Sequence, residues 1–395
     1  MTTETVIVAG ARTPIGRFLG GFSDVSAQDL GGAAIAGALT RGGVAGEHVD
    51  YVIMGQVLQA GQGQITARQA AVKAGIGMDV PCLTVNKVCL SGLNAIALAD
   101  QLIRAGEVTT VVAGGMESMT ATPYALPKAR QGARMGDTPL VDLMIHDGLW
   151  CAFEGSHMGE GTDAVNARLG ISRAEQDEWA ARSHERAADA TKAGRLAEEI
   201  VPVEVPQRKG DPVLVEQDEG VRPGTTAEKL SGLRPAFGKD GSVTAGNASQ
   251  ISDGAAAVVV TTREHAERQG WPVLATVLGH GMVAGPDPSL HSQPSNAVTK
   301  VARRLGHDPA GYDLYEINEA FASVAIWSTR ELGIPEDKVN PNGGAVALGH
   351  PIGASGARLV LTLAYELQRR GGGLGAASLC GGGGQGDALV VRVDD

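Results

Sequence analysis

The chain spells out one arrangement of elements twice, and an internal duplication constrains a fold more tightly than any single motif. The run Asp50-Tyr51-Val52-Ile53-Met54-Gly55-Gln56-Val57 has its counterpart in Asp313-Leu314-Tyr315-Glu316-Ile317-Asn318-Glu319-Ala320. Val85-Asn86 leads into a small-residue turn and a helix, as Val339-Asn340 does. Leu98 to Gly106 ends the first of these helices and Leu363 to Gly371 the second. After each, a strand runs into glycines: Val111 to Gly115 in one half, Ala376 to Gly384 in the other. Strands alternating with helices imply α/β domains on mostly parallel sheets. Two such domains, packed face to face, would bring their corresponding turns together at the junction.

The first copy opens with a strand at Thr5 to Gly10 and a helix from Ser26 through Gly42. A second helix covers Ala67 to Ala74, and a third, from Leu93, closes at the cap residue Gly106. From about Thr120 the character changes: Met119 to Gly136 is rich in Pro, Ala, Arg and Gly, Ser172 to Ala193 is a charged helix, and Val201 to Pro223 is polar with Pro202, Pro206 and Pro212. Sheet-forming sequence resumes at Gly254 to Val260. The expected division is an N-terminal domain over 1–120, resumed at 250–270, a loop insertion over 121–249, and a C-terminal domain over 271–395. Excursions of that length from a compact domain usually carry function. The apolar runs Val111 to Ala113 and Val258 to Val260 are expected as edge or near-edge strands, and an open edge predicts a homodimer or homotetramer.

A chain of 395 residues with 43% hydrophobic content can fill the cores of two or three domains, and 56 glycines with only 4% aromatics point to close-packed small-residue elements. The net charge of −11, without a basic run, argues against nucleic acid or an anionic membrane as a general partner. Four cysteines without a CxxC pair fit a reducing compartment, and Met1 to Val6 lacks the basic-then-apolar pattern of a leader, so a cytoplasmic location is expected. No apolar run is read as long enough to span a membrane. Glu, His and Cys do not gather at metal-ligand spacing, so neither a metal nor a bound organic cofactor is expected.

Three residues stand out chemically. Cys89 lies at a turn between the β-prone Pro81 to Val85 and the apolar helix, near a helix N-terminus, where free N–H groups and the dipole favour a thiolate. The competing reading is a small buried core residue. Partners decide between them: His350, in the duplicated turn, is placed opposite Cys89, and Cys380 stands at the second glycine cluster.

The sequence closely resembles the thiolase family over nearly its whole length. The resemblance rests on Val85-Asn86-Lys87-Val88-Cys89, Asn318-Glu319-Ala320-Phe321, Asn342-Gly343-Gly344 running on to Gly349-His350-Pro351-Ile352-Gly353, and Cys380-Gly381-Gly382-Gly383-Gly384-Gln385-Gly386. Asp147-Gly148-Leu149, His157-Met158-Gly159 and Val243 to Ser249 extend it into the insertion and are similar to the branch that forms acetoacetyl-CoA. It implies that Cys89 is the nucleophile acylated by acyl-CoA, that His350 is its base, and that Cys380 takes the α-proton of the second acyl-CoA. It further implies that Asn318, through a water, and His350 hold the enolate oxygen, and that the N–H groups of Cys89 and Gly382 hold the tetrahedral oxyanion. Coenzyme A, a substrate and product rather than a resident cofactor, is expected to meet Ser249, His157, Met158, Leu149, Phe237, Ala245, Ala320 and Phe321, with Arg222 at its nucleotide end. Leu90, where many thiolases carry glycine, is expected with Met158, Leu149 and Met282 to bound a small acyl site, which predicts acetyl-CoA and acetoacetyl-CoA as substrates.

Three other readings compete. A degradative thiolase of longer 3-ketoacyl-CoA shares every motif. A non-catalytic acyl-CoA carrier on the same fold has no need of Cys89, His350, Cys380 and Asn318 together. A dinucleotide-binding oxidoreductase is disfavoured because the glycines of Gly381 to Gly386 precede a strand, where the phosphate fingerprint needs a helix.

Overall fold

The computed structural model describes residues 3–395; Met1 and Thr2, part of the stretch read as lacking a leader, lie outside the described residues. The first half folds as β1 (Thr5–Arg12), α1 (Ala27–Gly42), β2 (Tyr51–Gly55), α2 (Thr66–Lys73), β3 (Cys82–Val85), α3 (Ser91–Ala105) and β4 (Val111–Ser118). An excursion follows that carries α4 (Met158–Leu169) and α5 (Arg173–Lys192) before β5 (Ser252–Thr262) returns to the sheet. The second half repeats the order with β6 (Ala275–Ala284), α6 (Gln293–Leu305), β7 (Leu314–Ile317), α7 (Ala322–Leu332), α8 (Ile352–Arg369), β8 (Gly373–Gly381) and β9 (Gln385–Val393). The counterpart of β3 has shrunk to a single parallel bridge between Tyr315 and Val339.

The strands join into one ten-stranded sheet in the order β7-β8-β9-β6-β1-β5-β4-β2-β3, with the short strand Gly16–Arg17 on β5. The halves meet where Thr5 to Ile7 of β1 pair antiparallel with Ala275 to Val277 of β6. The sheet is mixed, which corrects the expectation of a mostly parallel one. Parallel pairing is confined to β2 with β3 and β4, and to β7 with β8. The remaining strands return antiparallel, β9 after the tight turn at Gly382 to Gly384 and β5 after the long excursion. A tight turn can only join antiparallel neighbours.

A second correction concerns the edges. Val111 to Ala113 lie in β4 and Val258 to Val260 in β5, and both strands are interior; the outermost strands are β3 and β7. Their continuous apolar runs reflect burial on both faces, not an open edge.

Side chains sort the molecule into layers. Val6, Val8, Val52, Met54, Val112 and Val259 face α1 and α2 on one outside. Tyr315, Ile317, Ala376 and Val390 face α6 and α7 on the other. Between the two halves of the sheet lie α3 and α8, covered by Ile53, Val258, Leu379 and Val391. The two central helices cross at glycines: a Cβ on Gly92 would stand 2.9 Å from the Ala357 nitrogen, and one on Gly356 2.4 Å from the Leu93 nitrogen. That approach brings the N-terminal ends of α3 and α8, and the turns before them, side by side.

Local chemistry sets the helix limits. Ser26 caps α1 by accepting from the Asp29 N–H, and Gly43 ends it at φ +62°. Gly106 ends α3 in the same left-handed conformation. Ser172 and Glu175 form a reciprocal capping box on α5.

One window, Val88–Ala105, reaches a mean hydropathy of 1.2 over 18 residues and is apolar enough by composition to cross a membrane, contrary to the expectation that none would be. It is the stretch of α3, and 61% of it is buried within the molecule. Its apolar character is that of the innermost layer: Leu93, Ile96 and Ile103 each contribute about 1.5–3 kcal/mol by leaving water.

Candidate active site

Cys89 stands two residues before α3, on a turn held at both sides. Val88 has φ +51°, a left-handed conformation that is unfavourable for a β-branched residue. The turn is held by the Ser91 hydroxyl, which accepts from the Lys87 N–H at 2.8 Å and donates to the Val88 carbonyl at 2.6 Å. Lys87 Nζ reaches across to the fully buried Asp387 of β9 at 2.8 Å, and so ties this turn of the first half to the second.

His350 comes from the duplicated turn. Gly349 before it has φ +109°, and a Cβ there would meet the Ser252 hydroxyl. The His350 N–H donates to the Gln250 carbonyl at 3.1 Å. Its ring Nδ1 lies 2.6 Å from Ser355 Oγ, and that hydroxyl donates to the Pro351 carbonyl at 3.0 Å. With its proton engaged there, Ser355 must accept from His350, so the ring carries its hydrogen on Nδ1 and leaves Nε2 as a lone pair. The amide of Asn318 points the same way, its Nδ2 standing 3.5 Å from Nε2. Asn318 is fully buried, held through its backbone N–H on the Ser378 carbonyl at 3.0 Å, and its Oδ1 has no protein partner.

Cys380 lies near the end of β8, 1% exposed, and Gly382 opens the turn that follows. The Cys89 and Cys380 sulfurs are close enough that a charge on one raises the pKa of the other. Burial pushes the Cys89 thiol up to about 12, against the pull of N–H groups from Cys89 itself and Gly382. The expectation of a resting thiolate is thereby corrected: Cys89 precedes the helix rather than capping it, and at 4% exposure desolvation outweighs the dipole. Burial likewise lowers His350 to about 3 and raises Cys380. Thiol and imidazole each rest neutral, so the proton must leave Cys89 as its sulfur attacks.

Several residues of the insertion and of β7's loop close over this group. Ala320 and Phe321 join Cys380, Val243, Leu290 and Val324 in one apolar cluster, with Met158, Phe237 and Ala248 packed on it. His157 stacks on Phe237, ring centroids 4.5 Å apart, and Ser249 donates its N–H to the Ala320 carbonyl at 3.1 Å. Leu149 packs on the central cluster that includes Cys89. Ala245 is exposed beyond them. Arg222 stands apart, exposed on the flank of α5, where its backbone N–H meets His184 Nδ1.

Met282 does not reach the cluster: it is 46% exposed on β6, where alternation turns its neighbour Gly281 onto α6 and leaves Met282 on the opposite face. The residue that lines the cluster is Leu290, in the loop before α6. Leu90 is fully buried and directed at Gly381, where a Cβ would stand 2.7 Å from its Cγ, so it supports the cysteine-bearing turn from behind.

Two further side chains escaped sequence reading. Glu117, fully buried at the end of β4, accepts from the N–H groups of Val57, Leu58 and Gly353 at 3.0, 3.1 and 2.9 Å. It thus couples the first half to the start of α8, beside His350; burial raises it to about 7. Glu319 accepts from Trp179 Nε1, Ser183 Oγ, Asn340 Nδ2 and the Val346 N–H, and so locks α5 of the excursion onto the loop that carries Asn318. A lone acid among small and apolar residues was the available signal for Glu117, and its place in the motif Asn318-Glu319-Ala320-Phe321 for Glu319.

Residues 5–264 match the model of the thiolase N-terminal domain and residues 271–393 that of the thiolase C-terminal domain. A probable acetyl-CoA acetyltransferase of Mycolicibacterium smegmatis is 58% identical over 98% of this chain and 100% of its own length. The acetyl-CoA acetyltransferase of Allochromatium vinosum is 50% identical over 99% and 100%. The crystal structure of the Bacillus anthracis acetyl-CoA acetyltransferase superposes with a TM-score of 0.96 at 40% identity, covering 99% of each chain.

Proposed function

The chain belongs to the thiolase family, and we propose that it is an acetyl-CoA C-acetyltransferase that interconverts two acetyl-CoA with acetoacetyl-CoA and CoA. The observation that carries this reading is the convergence of Cys89, His350, Cys380 and Asn318, from separate turns of both halves, beneath one apolar cluster.

In the condensing direction the Cys89 sulfur attacks the thioester carbonyl of acetyl-CoA while its proton passes to His350 Nε2. The oxyanion rests on the N–H groups of Cys89 and Gly382, and CoA leaves as a thiol by taking the Cys380 proton, which makes Cys380 the thiolate while His350 keeps the Cys89 proton on Nε2. Exchange of one thioester for another keeps the transfer reversible. A second acetyl-CoA then loses an α-proton to the Cys380 thiolate, and its enolate oxygen is held by the Nε2–H of protonated His350 and by a water on Asn318 Oδ1. The enolate carbon attacks acetyl-Cys89, and Cys89 departs and regains its proton from His350, while Cys380 keeps the α-proton. Desolvation makes each thiolate reactive, at the cost of requiring its proton acceptor within contact distance.

CoA lies, in this reading, along the excursion, past Leu149, His157, Met158, Phe237, Ala245 and Ser249, with Arg222 near its nucleotide end. The small, closed cluster of Met158, Leu290 and Phe321 favours chains of two to four carbons. No resident cofactor takes part, and the four free thiols suit a reducing cytoplasm. The working form is an oligomer of at least two chains. Its support is β3, outermost in the sheet with Leu83 exposed, a row of backbone groups open to a second copy.

The test is kcat/KM for CoA-dependent cleavage of acetoacetyl-CoA against 3-ketooctanoyl-CoA. Preference for the former is expected; a strong preference for the latter replaces this reading with the degradative one, and absence of turnover with intact CoA binding leaves only a carrier.

A further inference from the structure

Behind the apolar cluster lies a second, small cavity of about 20 Å³, room for one water molecule. Its walls include Cys151, Met158, Thr162, Leu290, His291 and Gly383. Two of the lining residues, Thr162 and His291, each carry a buried polar atom, Oγ1 and Nδ1, that has no protein partner among the described residues. Their residues are 2% and 1% exposed.

The protonation of His291 follows from its neighbours. Asn166 donates through Nδ2 to Gln176 Oε1 at 3.3 Å and to Ser242 Oγ at 3.0 Å, so its Oδ1 must accept from His291 Nε2, 2.8 Å away. Nδ1 is therefore a bare lone pair. Burial keeps this ring neutral at physiological pH. Two unpartnered polar atoms on residues that line one water-sized space are both satisfied by a single molecule that donates to the Nδ1 lone pair and bonds the hydroxyl.

We propose that Thr162 and His291 hold an ordered water that closes the acyl site and excludes chains longer than four carbons. Met158 and Leu290 belong both to the cluster against Cys380 and to the wall of this cavity. An acyl chain that continues past Cys380 between them enters the cavity, displaces the water and leaves two buried polar atoms unpaired. Sites that present unpaired hydrogen-bonding groups reject an apolar competitor far more strongly than a change of one methylene in an apolar pocket does. The spacing of these residues fits that role, since Met158 and Thr162 are one turn apart on the same face of α4, and Leu290 and His291 are adjacent. This inference rests on the short-chain reading given above and adds its cause.

The test compares acetoacetyl-CoA with 3-ketohexanoyl-CoA in the wild type, Thr162→Val and Thr162→Ser. The wild-type ratio of kcat/KM values tests the short-chain reading; the change in that ratio on mutation tests this one. Thr162→Val, which keeps the shape and removes the hydroxyl, should move the ratio about tenfold toward the six-carbon substrate, or about 1.4 kcal/mol. Thr162→Ser should leave it in place. A purely structural role would lower activity on both substrates alike, and an unchanged ratio in a folded Thr162→Val overturns the proposal. Should that variant not fold, diffraction from the wild type decides: one ordered water within hydrogen-bonding distance of both atoms is expected, and a dry cavity overturns it.

Discussion

Replacing Ser355 by Ala isolates the role of the His350 tautomer. Among the described residues Ser355 Oγ is the only protein partner for the imidazole Nδ1, at 2.6 Å, and both residues are buried, at 2% and 6% exposure. In the variant an Nδ1–H finds no acceptor and costs roughly 1–3 kcal/mol. The imidazole relieves that cost by moving its hydrogen to Nε2, where it can no longer accept the Cys89 proton. With tenfold per 1.36 kcal/mol, kcat/KM for acetoacetyl-CoA cleavage should fall roughly 5- to 150-fold. KM should change little, because Ser355 lies behind the ring, away from the clustered CoA-facing residues. Nitrogen-15 NMR of histidine-labelled protein gives an independent readout: wild type should show the Nδ1–H tautomer, neutral across the working range because burial lowers His350 to about 3. A kcat/KM within twofold of wild type, or an Nε2–H tautomer in the wild type, would refute the reasoning.

Cys380→Ser should acylate Cys89 but not condense; mixed with acetyl-CoA it should release about one CoA per site and stall, with mass spectrometry locating the acetyl group on Cys89. Acetyl on Cys82 or Cys151, or undiminished condensation, contradicts the division of labour. Gly356→Ala places a Cβ 2.4 Å from the Leu93 backbone nitrogen, so the central helices must part. A loss of about 1–3 kcal/mol is expected as a lower denaturant midpoint at unchanged slope, and an unshifted midpoint shows that the crossing is looser than described. Glu117→Gln tests pH linkage. Burial raises the Glu117 carboxyl from 4.5 to about 7, so the folded state binds its proton more tightly than the unfolded chain does, and wild type loses stability from this group as pH rises through that interval. The stability of Glu117→Gln relative to wild type should therefore climb between pH 4.5 and 7, and a flat difference argues that Glu117 stays ionised throughout.

Much of this protein is written locally. The duplicated order of strands and helices and the caps at Ser26, Gly106 and Ser172 follow from residue type and spacing, because propensity and capping act over a few neighbours, and the motifs shared with the thiolase family single out Cys89, His350, Cys380 and Asn318. What the sequence could not decide is non-local. Strand direction and order depend on how the return strands pair, so the mixed sheet, the interior places of β4 and β5, and the exposed edge at β3 emerged only on folding. Burial decided the charge state of Cys89: a helix N-terminus read along the chain favours a thiolate, whereas the packed site raises the thiol to about 12. Distance along the chain likewise hid Leu290 from Met282's assigned place, and hid the partners of Glu117 and Glu319, since nothing near an isolated acid in sequence tells which backbone N–H groups will surround it. Desolvation and cross-chain hydrogen bonds are properties of the assembled layers, and they are what turn four legible motifs into one reactive site.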